Sequence, residues 1–202
     1  MTNKTQRKTQ SNAQDISLLG VIGNPISHSK SPAIHNNWIE KYNIKAFYSP
    51  INLVDSGDIT QFLDFMPKIG YIGFNVTVPF KEDFYAELVK RKDRGERVFI
   101  KGDIKVIKAV NCIHISGNSP ENRIIYAYNT DPFGFYESLF ENDFDKTIEP
   151  KKALIIGAGG ASRAVIYALM AVGIDCVLVN RTRSKAEKIL EDFKAFSGGT
   201  AK

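Results

Sequence analysis

Ile72-Gly73-Phe74-Asn75-Val76-Thr77-Val78-Pro79-Phe80-Lys81 reads as a short buried strand that a proline stops and a lysine follows. The run from Ile72 to Val78 is rich in β-formers and bounded by turn residues. Pro79 cannot extend a ladder, so the chain leaves the sheet there. Side chains alternate along a strand, which puts Asn75 and Thr77 on one face. Ligands of open α/β sheets gather at strand ends, so Lys81 can reach a ligand that Asn75 and Thr77 hold. A solvated lysine is the plainer reading, and only its neighbours elsewhere in the chain raise Lys81 above it.

Upstream, Ile16 to Gly23 is a first buried strand, turned by Asn24-Pro25. A helix begins at Ser31-Pro32, with Ser31 as N-cap and proline at the first helical position. Ile34, Trp38 and Ile39 suit one face of it. Phe47 to Leu53 is a second strand and Ile59 to Met66 a helix. Downstream, the charged stretch Phe84 to Lys108 shows no clear periodicity. Ala109 to Ile115 and Arg123 to Tyr128 are strands that Gly117 to Asn122 joins as a hairpin loop. Asp131-Pro132 opens a helix through Phe133 to Phe140. Glu141 to Lys152 is charged, contains Pro150 and suits a domain boundary. Then come a strand (Ala153 to Ile156), a glycine turn (Gly157 to Ser162), a helix (Arg163 to Val172), a strand (Cys176 to Val179) and a helix capped by Ser184 and running to Phe193. Alternating strands and helices predict α/β architecture. A mostly parallel unit over 17–130 is followed by a linker helix and boundary over 131–150. Half of a dinucleotide-binding unit over 151–202 completes it. Residues 1–16 form a tail, polar and aperiodic over Met1 to Gln14, expected to be disordered.

The 202 residues suffice for a sizeable core, and 43% hydrophobic with 24% charged residues is ordinary for a soluble globular protein. The net charge of +5 suits a phosphorylated cofactor or an acidic metabolite. No basic helix face with interleaved aromatics argues for nucleic acid. Cys112 and Cys176 are isolated in apolar runs and read as buried reduced thiols. With His28, His35 and His114 they make no metal spacing. No signal peptide is expected, because the polar N-terminus has no apolar core segment, and no membrane span, because the apolar region Ala153 to Val179 is broken by glycines, Arg163 and Asp175. The default location is cytoplasmic.

Three clusters carry chemistry. Gly157-Ala158-Gly159-Gly160-Ala161 lies between a strand and a helix, as a dinucleotide fingerprint requires. Gly157 permits the turn, Gly159 lets a pyrophosphate approach the backbone, and helix amides bind the phosphates. After the next strand stands Asn180-Arg181-Thr182, with Lys185 one turn on, where an NAD site places a carboxylate. Arg181 can grip a 2′-phosphate, so the expected cofactor is NADP; a solvated basic face is the plainer alternative. Ser29 and Ser31, in Ser27-His28-Ser29-Lys30-Ser31-Pro32, cluster hydroxyls at a helix N-terminus and suit a carboxylate ligand, or simple capping. Asn129-Thr130-Asp131 ends a strand and starts a helix. Asp131 is an N-cap, or, if beside Lys81, half of an acid–base pair.

Ser-x-Ser-x-Ser-Pro, Asn-Val-Thr-Val-Pro-Phe-Lys, Ala-Val-Asn, Asn-Thr-Asp, Gly-Ala-Gly-Gly-Ala and Asn-Arg-Thr stand here in the order found in shikimate dehydrogenases, which the chain resembles from about Leu18 to about Lys188. The resemblance implies reversible NADPH-dependent reduction of 3-dehydroshikimate to shikimate, in aromatic amino-acid biosynthesis. It implies that Ser29 and Ser31 bind the substrate carboxylate, and that Thr77, Asn111 and Asp131 bind ring hydroxyls with Asn75 in support. Lys81 is then the general acid–base, paired with Asp131. No metal is implied, and the partners are small molecules around a monomer or homodimer.

Cys112 departs from the family pattern, which has Thr there, and Pro132 follows Asp131 where a glycine is usual. The chain also stops after a strand–helix–strand–helix run, where a full dinucleotide fold has six strands. The resemblance places the nicotinamide pocket in the remaining half, so a truncated, weakly active or inactive piece is expected. A quinate/shikimate dehydrogenase and a non-catalytic NADP- or shikimate-binding module are the alternatives.

Overall fold

The computed structural model describes residues 16–141, 152–194 and 196. The N-terminal tail and most of the expected boundary after Glu141 lie outside them. Strand β1 (Ser17–Gly23) pairs in parallel with β2 (Ala46–Asn52) and β3 (Tyr71–Val76). Strands β4 (Val98–Ile100), β5 (Cys112–Ser116) and β6 (Ile124–Tyr128) complete a six-stranded sheet of order β2-β1-β3-β5-β6-β4. Only β5 runs against the rest. Asn75, Cys112 and Tyr128 stand in one row across β3, β5 and β6. The parallel strands β1, β3 and β6 therefore end on the same edge of the sheet, the edge where open α/β sheets hold ligands.

A helix leaves that edge after each of them: α1 (Ser31–Lys41), α3 (Lys81–Asp93) and α5 (Asp131–Glu141), with α2 (Ile59–Phe65) leading into β3. The main core packs α2 and α3 on the sheet through Phe62, Leu63, Phe74, Phe84, Leu88 and Ile113. The charged stretch that lacked periodicity contains α3, β4 and α4 (Ile104–Ile107). The inward face of α3 is Phe84, Glu87, Leu88 and Arg91, at helical spacing but half charged. Arg91 is 1% exposed and bonds Glu87, Asp64 and Glu96 at 2.9–3.0 Å, while Arg123 joins Asp64 and Glu96. A helix that buries an ion network hides its hydrophobic period.

Several local expectations are corrected. Strand β3 ends at Val76, two residues early, because Thr77 to Phe80 form a turn closed by the Phe80 N–H on the Thr77 carbonyl. Helix α1 buries no residue, and Ile34 and Trp38 stay about half exposed. It is fixed to β2 by Asn36, which bonds both the N–H and the carbonyl of Tyr48, and by His35 stacked on Tyr48 with centroids 4.2 Å apart. Ser31 is the first helical residue, not the cap: Lys30 holds that place and Ser29 Oγ accepts the Ser31 N–H at 3.3 Å. Thr182, not Ser184, precedes the last helix, and it makes no side-chain cap bond.

The second unit has β7 (Lys152–Ile156) parallel to β8 (Asp175–Val179), with α6 (Gly160–Ala171) and α7 (Arg183–Phe193). Ile155, Cys176, Ile166, Leu169, Ile189 and Phe193 form its core, and Phe135 and Leu139 of α5 pack against it. The opposite face of the strand pair, Leu154, Ile156, Val177 and Val179, is exposed.

Candidate functional site

Ser31, Lys81, Asp131 and Gly160 are each the first residue of a helix. Three of those helices leave one sheet edge, so their positive dipole ends gather there.

Phe80, 3% exposed, anchors the turn before α3, and the Lys81 carbonyl accepts the Val110 N–H at 2.9 Å. The Lys81 stem is thereby fixed, with 13% of the side chain exposed. Its Nζ donates to Asp131 Oδ2 at 2.6 Å. The other oxygen, Oδ1, accepts from Asn111 Nδ2 at 2.6 Å. Asp131 is not the cap of α5: Asn129 Oδ1 takes the Asp131 N–H, which frees the carboxylate for Lys81 and Asn111. Asn111, 7% exposed, also bonds the Thr130 N–H and hydroxyl. Asn129 Nδ2 donates to the Ala109 carbonyl. The loops after β6 and before β5 are thus stitched together around the lysine–aspartate pair.

Contacts run on from this pair to the serines. Asn75 Nδ2 reaches the Asn111 carbonyl at 3.4 Å, and Asn75 Oδ1 accepts the Tyr48 hydroxyl at 2.7 Å. Tyr48 stacks on His35, whose Nδ1 lies 2.8 Å from the Ser31 carbonyl. Burial foremost, then the neighbouring Cys112, pushes the Tyr48 phenol up, so it stays a neutral donor. Thr77 is half-buried just beyond β3, and its methyl packs against Gly23. Tyr48 and His35 escaped the sequence reading because their place in the site depends on β2 lying beside α1.

The glycine turn faces Lys81 from the second unit. Gly157 has φ +114°, which favours glycine, and its N–H bonds the Val179 carbonyl. Gly159 caps α6 in extended conformation. Gly160 comes closest: a Cβ there would lie 2.9 Å from Lys81 Cβ. A cleft of about 570 Å³ opens between the turn and the start of α3, lined by Lys81, Ala158, Gly159, Ala161, Lys185 and Lys188. Arg181 is exposed outside that lining and has no ion-pair partner among the described residues. Asn180 Nδ2 bonds the Thr182 carbonyl and shapes the loop that holds Arg181. Lys188, three residues after Lys185 on α7, joins the cleft; its helical spacing was a readable signal.

Residues 21–113 match the shikimate dehydrogenase substrate binding domain, and residues 138–199 match shikimate / quinate 5-dehydrogenase. A relative in Roseobacter denitrificans, a shikimate dehydrogenase (NADP(+)), is 40% identical over 179 residues, covering 88% of this chain and 60% of its own length. The chain thus spans about three fifths of the length of the curated relatives it matches. Shikimate dehydrogenase from Aquifex aeolicus superposes with a TM-score of 0.74 at 34% identity, over 95% of this chain and 64% of that one. The Thermus thermophilus enzyme in complex with NADP(H) and shikimate does so with a TM-score of 0.69 at 28% identity, over 92% and 62%. Motif order, a doubly supported lysine–aspartate pair, a glycine turn against it and matches across both units converge on one assignment: the chain belongs to the shikimate dehydrogenase family.

Proposed function

We propose that the chain carries the substrate and acid–base half of an NADP-dependent shikimate dehydrogenase, acting reversibly between shikimate and 3-dehydroshikimate. The observation that carries this reading is the 2.6 Å Lys81–Asp131 bond, with a glycine turn in contact with the same lysine. Ser29 and Ser31 take the carboxylate at the start of α1, where amides and dipole favour an anion. Thr77, Asn111 and Asp131 bind ring hydroxyls, Asp131 as acceptor only, with Asn75 in support. In shikimate oxidation a neutral Lys81 Nζ takes the proton from the reacting hydroxyl while the C–H bond of the same carbon breaks. In reduction the lysinium returns that proton to the forming alkoxide. Asp131 holds the Lys81 Nζ in line for both. Bound at the glycine turn, NADP would supply the hydride acceptor or donor. Gly157, Ala158, Gly159, Gly160 and Ala161 bind its pyrophosphate. Asn180, Arg181, Thr182 and Lys185 bind its 2′-phosphate side, a role that the exposure of Arg181, unpaired among the described residues, supports.

The setting is cytoplasmic, with a monomer or homodimer and no nucleic-acid partner. The free thiols of Cys112 and Cys176 support a reducing compartment. No described helix is long and apolar enough to cross a membrane. The test is shikimate-dependent reduction of NADP+ by the purified chain, with NAD+ and quinate alongside and shikimate binding measured in parallel. Turnover, or shikimate binding, in the parent with turnover abolished in Lys81→Ala supports the reading. A folded chain that binds neither shikimate nor NADP+ refutes it. A preference for quinate would shift the assignment to the quinate/shikimate enzymes.

A further inference from the structure

Arg163 sits one turn into α6 and is 1% exposed, yet its guanidinium touches three other elements. Nε lies 3.3 Å from Glu82 Oε2 on α3, Nη2 lies 2.7 Å from Asp192 Oδ2 on α7, and Nη1 reaches the Ile107 carbonyl of α4 at 3.4 Å. Asp192 is itself held by Lys108 at 2.5 Å through its other oxygen. The Nε and Oδ2 atoms are close to their partners but off the hydrogen-bonding line. A buried guanidinium with so few aligned bonds contributes little to stability by itself. Its value is in what it joins. Glu82 is the residue after Lys81, and Arg163 lies three residues after Gly160. The first turns of α3 and α6 therefore meet at two adjacent points, Gly160 on the Lys81 stem and Arg163 on Glu82.

We propose that Arg163 is a positioning residue for Lys81: strapped between Glu82 and Asp192, it seats the glycine turn on the lysine stem, so that a phosphorylated ligand on the turn is felt at the Lys81 ammonium. This rests on the reading of the turn as the cofactor site and of Lys81 as the acid–base. Gly160 is part of the same seat. A Cβ there would meet Lys81 Cβ at 2.9 Å and Cδ at 3.3 Å, and the first of these atoms cannot swing away as a side-chain tip would. The requirement for glycine at this position is thus set by the other unit, in addition to any ligand.

The experiment follows the ε-methylene NMR signal of Lys81 in chain labelled with 13C-lysine, assigned with Lys81→Arg, before and after saturation with NADP+. The parent signal is expected to move. In Arg163→Met and in Glu82→Gln the movement should fall to less than about half, and the double variant should be no worse than the worse single one, as for residues acting through each other. Arg163→Lys, which keeps one ion pair, should recover part of it. In Gly160→Ala the signal should be displaced before any NADP+ is added. Full movement in both Arg163→Met and Glu82→Gln at saturation overturns the proposal and leaves the proposed function standing. So does a parent that binds NADP+ with no movement of Lys81. A parent that does not bind NADP+ overturns the cofactor reading and this inference together. Glu82 is half-buried at a helix start, so Glu82→Gln decides the matter if Arg163→Met fails to fold.

Discussion

Asn111 serves three partners from a nearly sealed position: Asp131 Oδ1, the Thr130 N–H and the Thr130 hydroxyl. Asn111→Ala leaves the Thr130 N–H without its side-chain acceptor and Asp131 with one support fewer, at a cost of about 0.5–1.5 kcal/mol in urea unfolding. Shikimate affinity should weaken by about tenfold or more, since the carboxylate is no longer aimed. Unchanged affinity by calorimetry would remove Asn111 from the ligand site. Arg181 is the contrasting residue, exposed and unpaired among the described residues. Arg181→Asp should weaken NADP+ far more than NAD+, because a carboxylate repels a 2′-phosphate; equal losses for both would favour the solvated-face reading. Much at this scale was legible, because strand-end polar residues before helix starts carry a local signal. Lys81, Asp131 and the glycines were placed on the residues that now meet. Tyr48, His35, Glu82 and Arg163 were not, because their roles arise from contacts between segments distant in sequence.

Among elements, α3 is the one whose sequence misled. Its inner face alternates aromatic or aliphatic with charge, and the charges are met by Asp64 of α2, by Glu96 before β4 and, through these, by Arg123 before β6. Arg91→Met should destabilise by about 3–5 kcal/mol, because it strands carboxylates beside Glu87, itself only 10% exposed. Replacing Glu87 by Leu in the same chain should recover part of that in urea melts. The pH response has a definite sign. Burial raises the Asp64 carboxyl, but the hydrogen bonds and charges of Arg91 and Arg123 outweigh it and hold it below the usual range. Asp192 is also held down, against burial, by the Lys108 hydrogen bond and by the charges of Arg163 and Lys108. Groups with depressed folded values contribute stability above the unfolded value of about 4 and lose it as pH falls through the folded value. The melting temperature should therefore drop below about pH 4, and less steeply in Arg91→Met, where Asp64 has lost a partner. An equally steep drop in the variant would place the acid sensitivity elsewhere.

For the whole molecule, the two units differ in how far their sheets are covered. The six-stranded sheet carries a core of large side chains under α2 and α3, whereas among the described residues the β7–β8 pair is covered on one face only. Leu154 is 65% and Ile156 81% exposed, opposite Val177 and Val179 in register. Parallel strands are ordinarily buried on both faces, so this apolar patch is a binding liability in isolation. The purified chain should bind the dye ANS and associate with rising concentration, and Leu154→Lys with Val177→Lys should reduce both. Sedimentation that stays monomeric in the parent at high concentration would contradict this. The overall alternation of strands and helices was readable from the pattern of apolar runs. The antiparallel pairing of β5 with β6 was also readable, from the hairpin loop Gly117 to Asn122; that β5 also lies against β3 was not, because apolar pattern does not say beside which strand a hairpin docks.

The row Asn75–Cys112–Tyr128 fixes how far β3 and β6 project past β5. Lys81 and Asp131 ride on those two exits, and a slip of one residue in either ladder would carry one of them about 3.4 Å along the strand. Their bond is only 2.6 Å long. The ion pair is therefore a gauge of correct strand alignment: a collapsed but misthreaded chain is compact, folded by most optical measures and chemically silent. Counting molecules by this pair and counting them by compactness are different assays, and the difference between the two is the misaligned population.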